Sequence, residues 1–132
     1  MICCKKSLEI HPTPEAHLLL ALVHSVHGRY QEAIHACERA IQLDPEFGNP
    51  YNDIGGYLIR LGQVEEAIPW FEMAITAKRY DTRAYPHYNL GRVYEHLGKW
   101  QDACLAYEHA LRADPAYVLA DRALNHLRGL SN

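Results

Sequence analysis

The sequence predicts an all-α protein built as a stack of helical hairpins. Three observations predict it. Three consecutive segments of the 132-residue chain line up with one another. Within each, apolar residues recur twice over at i, i+3, i+4 and i+7, the spacing of two amphipathic helices. Small residues fall at fixed places in those helices, and glycine or Asp-Pro stands at their ends. Self-similarity on this scale marks a solenoid, in which each unit buries its apolar face against the next.

Taken in order, the chain opens on a fragment. Lys6-Ser7-Leu8-Glu9-Ile10-His11-Pro12 matches Arg39-Ala40-Ile41-Gln42-Leu43-Asp44-Pro45 position for position, which sets Cys4 where Cys37, Phe71 and Tyr107 stand. Residues 1–12 therefore read as half a hairpin, a second helix without its first. A helix of about three turns is marginal alone. Two readings stay open. Either another chain, self-association or sequence outside this chain completes the face, or the half helix packs on the next hairpin as a ragged cap.

Repeat 1 spans 14–47, repeat 2 spans 48–83 and repeat 3 spans 84–117. Gly28, Gly62 and Gly98 mark the turns within them, where a left-handed residue ends the first helix. Ala21, Gly55 and Gly91 in the first helices, and Ala33, Ala67 and Ala103 in the second, are small because helices cross there; Ala40, Ala74 and Ala110 repeat the device seven residues on. Bulky residues between them, such as Leu20, Ile54, Leu90, Phe71 and Tyr107, are expected to fill the space between hairpins. Asp44-Pro45 and Asp114-Pro115 stop the second helix, because proline cannot continue it. Repeat 2 departs from this: Arg79 stands where the proline should, and repeat 3 begins two residues late. Lys78 to Arg83 is thus a longer or differently ended connection. Residues 118–130 read as a capping helix that packs through Leu124 and Leu127 and turns Asp121 and Arg128 to solvent.

The pattern resembles the tetratricopeptide repeat, whose period is ~34 residues with a W-x2-L-G-x2-Y, A-x3-F, P skeleton. Leu90, Gly91, Tyr94, Ala103, Tyr107, Ala110 and Pro115 are in register in repeat 3, and Tyr51, Ile54, Gly55, Leu58, Ala67, Phe71 and Ala74 in repeat 2. Repeat 1 keeps Ala33, Cys37, Ala40 and Pro45 but has His17 and His24 at the aromatic places of its first helix. The resemblance covers nearly the whole chain and implies a right-handed superhelical α-solenoid of about three repeats with a C-terminal capping helix. It also implies a scaffold or adaptor for a protein or peptide partner, an extended peptide or a partner helix lying in a concave groove lined by the first helices. One stripe at i, i+3, i+7 then carries Leu19, Leu22 and Val26 in repeat 1, Asp53, Gly56 and Arg60 in repeat 2, and Asn89, Arg92 and His96 in repeat 3, with Asn52, Tyr85 and Tyr88 alongside. This groove would be apolar near its N-terminal end and polar toward the other. Asn89 is expected to hold a peptide amide, and Arg60 and Arg92 to pair with a carboxylate. The opposing reading makes the leucines internal packing between first helices. Some relatives grip the acidic tails of heat-shock chaperones through a two-carboxylate clamp. Its places here hold Leu18 and Leu22, Asp53, and Tyr85 and Asn89, so that role is not expected.

Composition sets the remaining bounds. Hydrophobic residues make up 48% of the chain and the formal net charge is −3, which fits a folded domain and lacks the basic footprint of a nucleic-acid binder. Leu18 to Val23 is too short an apolar run to span a bilayer. The four cysteines, Cys3, Cys4, Cys37 and Cys104, show no C-x-x-C spacing and read as reduced thiols of a cytoplasmic protein. Cys37 and Cys104 sit at core positions of helices. His24, His27, His35 and Cys37 would have to converge to hold zinc; His24 is at a packing position and His35 on the convex side, so neither metal nor cofactor is expected. An enzyme is the competing class, but no G-x-S-x-G, P-loop or H-E-x-x-H occurs, and no catalytic residue is assigned. Cys3 and Cys4, followed by Lys5 and Lys6, have the composition of an acylation site; the helix register accounts for the same residues.

Overall fold

The computed structural model describes residues 13–130. The half hairpin expected over 1–12, with its self-association, and the acylation reading of Cys3 and Cys4 lie outside the described residues. Those residues form seven α-helices: α1 (Pro14–Val26), α2 (Tyr30–Leu43), α3 (Asn49–Arg60), α4 (Val64–Thr76), α5 (Ala84–His96), α6 (Trp100–Ala113) and α7 (Val118–Leu130). Successive helices pack on one another as three hairpins, α1–α2, α3–α4 and α5–α6, with α7 against α6. This is an all-α solenoid.

Local chemistry explains the ends. Thr13 caps α1 by accepting from the Ala16 amide at 3.0 Å, and Pro14 occupies the first turn, where its missing N–H costs nothing. Gly28, Gly62 and Gly98 have φ of +74°, +81° and +76°. A side chain there would be strained, and the three turns repeat one geometry. α2 and α6 end at Asp44 and Asp114, whose carboxylates accept from the amides of Glu46 (3.3 Å) and Ala116 (3.1 Å). The expected Asp-Pro stop is therefore also an Asx turn.

The core is a stack of small residues and rings. Ala21, Ala33, Cys37, Ile54, Ala67, Phe71, Leu90 and Val93 belong to one buried cluster running through all three hairpins. Ala103, Tyr107, Ala110, Ala120, Leu124 and Leu127 form a second between α6 and α7. Two sequence expectations change. Leu20 is exposed and does not fill space between hairpins, while Phe71 and Tyr107 are buried in clusters shared with the following helices, each also lying over the glycine of its own hairpin's first helix. A methyl on Gly55 would sit 2.5 Å from the Phe71 ring, and one on Gly91 2.3 Å from the Tyr107 ring. The glycine and the aromatic are thus one packing unit, absent from repeat 1, where Ala21 and the smaller Cys37 stand at those places, both buried. Cys104 is half-buried rather than a core residue, while Cys37 is fully buried.

The proline-less end of repeat 2 is resolved by an arginine. α4 stops at Thr76, and Arg83 reaches back to its open carbonyls. Its Nε donates to Ile75 O at 3.1 Å, Nη1 to Tyr80 O at 2.9 Å and Nη2 to Ala77 O. A cation at a helix C-terminus also suits the helix dipole. The added length doubles back over the preceding turn. Gly48 N donates to Arg79 O (2.8 Å) and Arg79 N to Glu46 O (3.0 Å), a single parallel bridge between Phe47 and Arg79. Tyr80 is buried against Gly48, where a methyl would meet the ring at 2.7 Å.

Candidate functional site

The first helices α1, α3 and α5 present the stripes expected of the groove. On α1 the stripe is open: Leu19 is 65% exposed, Leu22 55% and Val26 75%, with Val23 beside them at 55%. These leucines do not pack between first helices. On α3, Asn52, Asp53 and Gly56 are half-buried and Arg60 is exposed. On α5, Tyr88 and Asn89 are half-buried, and Tyr85, Arg92 and His96 are exposed.

The middle of the groove is polar and already partly satisfied. Asn89 Nδ2 donates to Asn52 Oδ1 at 3.0 Å, tying α5 to α3. The amide expected to hold a peptide is thus engaged with its neighbour, which leaves it a structural part as well. Burial pushes the Asp53 carboxyl up to about 6, against the pull of the adjacent Asn52 side chain. It therefore ionises reluctantly and stands as an acid in the centre of the groove. Tyr57 stacks on Tyr30 with centroids 6.1 Å apart, and burial raises its hydroxyl to about 12.

The C-terminal end is aromatic. Tyr88 meets Tyr107 (5.7 Å) and, edge to face, Tyr117 (5.4 Å); Tyr117 also meets Tyr85 (5.5 Å). The Arg92 guanidinium lies 5.9 Å from the Tyr88 ring centre, a cation–π contact one helical turn away. Tyr107 donates its hydroxyl to Glu95 Oε1 at 2.8 Å. Four residues that sequence reasoning missed complete this end. Leu119, Arg122 and His126 of α7 line one cavity of about 870 Å³ together with Tyr88, Arg92 and His96, and Tyr117 packs its ring on Tyr85 and Tyr88. The signal was present. Leu119, Arg122 and His126 fall one ~34-residue period after Tyr85, Tyr88 and Arg92, one turn before the register of the Asn89, Arg92, His96 stripe. The helix expected as a solvating cap thus also shares a cavity with α5.

The histidines and cysteines considered for metal are scattered in character. Cys37 is buried, His24 half-buried, and His27 and His35 exposed. Burial, with the Asp53 and Glu38 carboxylates nearby, pushes the Cys37 thiol far above its ordinary value and disfavours the thiolate. Among the described residues no helix is long and apolar enough to cross a membrane.

Comparison with known proteins follows the same geometry. Family models described as tetratricopeptide repeat match residues 14–47 and 46–116. Anaphase-promoting complex subunit 3 of Schizosaccharomyces pombe is 31% identical over 112 residues, 83% of this chain and 16% of that protein. Tetratricopeptide repeat protein 21B of Mus musculus is 25% identical over 118 residues, 89% of this chain and 9% of that protein. The chain thus spans a small part of the length of these relatives. Among solved structures, MamA superimposes with a TM-score of 0.79 at 24% identity, over 96% of this chain and 74% of that one. The first such domain of Spaghetti (RPAP3), bound to an HSP90 peptide, gives 0.79 at 19% identity, over 90% and 94%. At these identities the structures show a shared fold.

Proposed function

We infer that this chain, which belongs to the tetratricopeptide repeat family, holds an extended segment of a partner protein in the groove formed by α1, α3, α5 and α7. The family's repeats are protein-interaction modules, and this chain is one. The observation that carries the groove reading is the exposed stripe Leu19, Leu22, Val26. Apolar surface left in water costs about 25 cal/mol per Å² against its burial, and a contiguous exposed patch marks an interaction surface. The solved neighbour that holds an HSP90 peptide supports the same use of the fold. That peptide itself is not carried over, because Leu18, Leu22 and Asp53 stand where a carboxylate clamp would need Lys and Asn.

The test separates the two faces of the solenoid. The wild type, a groove variant (Leu19→Glu, Leu22→Glu) and an α6 variant (Leu105→Glu, at a position 50% exposed) are used to capture partners from the native lysate. The expected result is a partner retained by wild type and Leu105→Glu and lost by the groove variant. Loss with Leu105→Glu alone would move the binding surface to the second helices and overturn the reading.

A further inference from the structure

Resting on that groove, we propose that its C-terminal end is a carboxylate site, which takes the acidic stretch of the partner segment between α5 and α7. Arg92 and Arg122 line the same cavity from these two helices. Among the described residues no carboxylate lies within ion-pair distance of either guanidinium; the ion pairs present are those of Lys78, Arg79 and Arg128. Glu95, the acidic residue of the cavity lining, is engaged by the Tyr107 hydroxyl. His96 and His126 follow the two arginines by four residues and line the same space. Glu95 keeps its charge, so two guanidiniums and two imidazoles share the lining with one carboxylate, a local excess of cationic and N–H donor groups in a chain of net charge −3.

The chemistry favours a carboxylate on a peptide. Each guanidinium is a planar fork that matches a carboxylate through two parallel N–H···O bonds. Tyr88 backs Arg92, which limits the orientations the fork must give up on binding. Tyr88 and Leu119 make part of the wall apolar, which strengthens a charge pair beside it and accommodates the methylene stems of Glu side chains. The remainder of the groove sets the order of residues in the ligand. Asp53 rejects an acid at the centre, and the α1 stripe takes apolar side chains. The ligand is therefore a segment with apolar residues at one end and acidic residues at the other. The site is distinct from the two-carboxylate clamp, which would use the places of Leu18, Leu22, Asp53, Tyr85 and Asn89.

The experiment uses a fluorescein-labelled peptide with leucines in one half and glutamates in the other, its glutamine counterpart and a phosphoserine counterpart, read by fluorescence anisotropy at low and high salt. The glutamate peptide is expected to bind at least about tenfold more tightly than the glutamine peptide, the size of one charge-assisted contact. High salt should narrow that gap. The Arg92→Gln, Arg122→Gln variant, altered at two exposed positions, is expected to unfold at the wild-type temperature and to bind both peptides alike. Equal binding of the glutamate and glutamine peptides by wild type, no binding of either, a retained glutamate preference in the double variant, or preference for phosphoserine would each overturn the inference. The groove reading is judged separately by Leu22→Glu. If the glutamate preference and its dependence on the arginines survive that change at full affinity, the carboxylate site stands and the apolar groove falls. Equal binding of the two peptides that Leu22→Glu abolishes leaves the groove and removes the carboxylate site.

Discussion

The turns that follow α2 and α6 and the connection that follows α4 do the same job by different means. After α2 and α6, a helix ends at an aspartate followed by proline, and the aspartate closes the turn on itself. Every partner lies within a few residues. After α4 there is no proline, and the chain is two residues longer. Here Arg83, from the start of the next helix, occupies the carbonyls left open by the last one, while Arg79 and Tyr80 fold back onto the turn after α2. The first kind of junction is autonomous, and the second borrows its neighbour. The difference teaches that a missing stop signal in a repeat need not loosen the stack. It can instead join two junctions into one unit.

The strongest way to break that unit is Arg83→Ala. It leaves the part-buried carbonyls of Ile75, Ala77 and Tyr80 without this donor, and the expected loss is about 3 kcal/mol of unfolding free energy, read by urea denaturation. Substituting Asp114 by alanine removes only a local Asx bond and is expected to cost about 1 kcal/mol, so comparable losses at the two sites would erase the distinction. Gly48→Ala comes next. Its backbone is ordinary, so the whole effect, about 2 kcal/mol, arises from the methyl meeting the Tyr80 ring. Replacing Tyr80 by leucine in the Gly48→Ala background should recover part of that loss, which is checked by a double-mutant cycle.

Asp53 sharpens the comparison from the groove side. Its folded-state carboxyl titrates near 6 against an ordinary value of 3.8, so the folded state binds the proton more tightly than the unfolded chain. Its contribution to stability is therefore greatest below the unfolded value and is lost as pH rises from about 4 through about 6. Asp53→Asn should raise stability at neutral pH by on the order of 2 kcal/mol and flatten that part of the profile, measured by thermal melts across the range. The smallest effect belongs to Arg79→Ala. Arg79 and Glu46 are exposed and Asp44 is half-buried, and a loss of about 1 kcal/mol that shrinks at high salt is expected.

Much of the fold could be read from the residues. Gly28, Gly62 and Gly98 announced three identical turns because only a left-handed residue closes them. Ala21, Gly55 and Gly91 announced close helix crossings. The stripes Leu19–Leu22–Val26, Asp53–Gly56–Arg60 and Asn89–Arg92–His96 placed the site's residues on three neighbouring helices. Two parts of the site were harder to see. The pairing of Asn89 with Asn52 joins residues on different repeats, and no spacing rule distinguishes it from two free amides. The cavity that α7 shares with α5 follows the repeat period, but the polar composition of α7 suits an end cap equally well, and the period alone does not choose between them.

What the sequence determined by itself is whatever depends on neighbours along the chain or on the repeat period: helix faces, glycine turns, Asp-Pro stops and the small residues beneath Phe71 and Tyr107. What only the tertiary structure decided is how the α4–α5 connection closes and where the groove ends. Arg83 finds its acceptors only because α4 stops at Thr76 and the chain turns back, and Arg122 joins Arg92 in one cavity only because α7 packs on α6. Both depend on distances between elements, which the packing of the whole stack sets and no local pattern records.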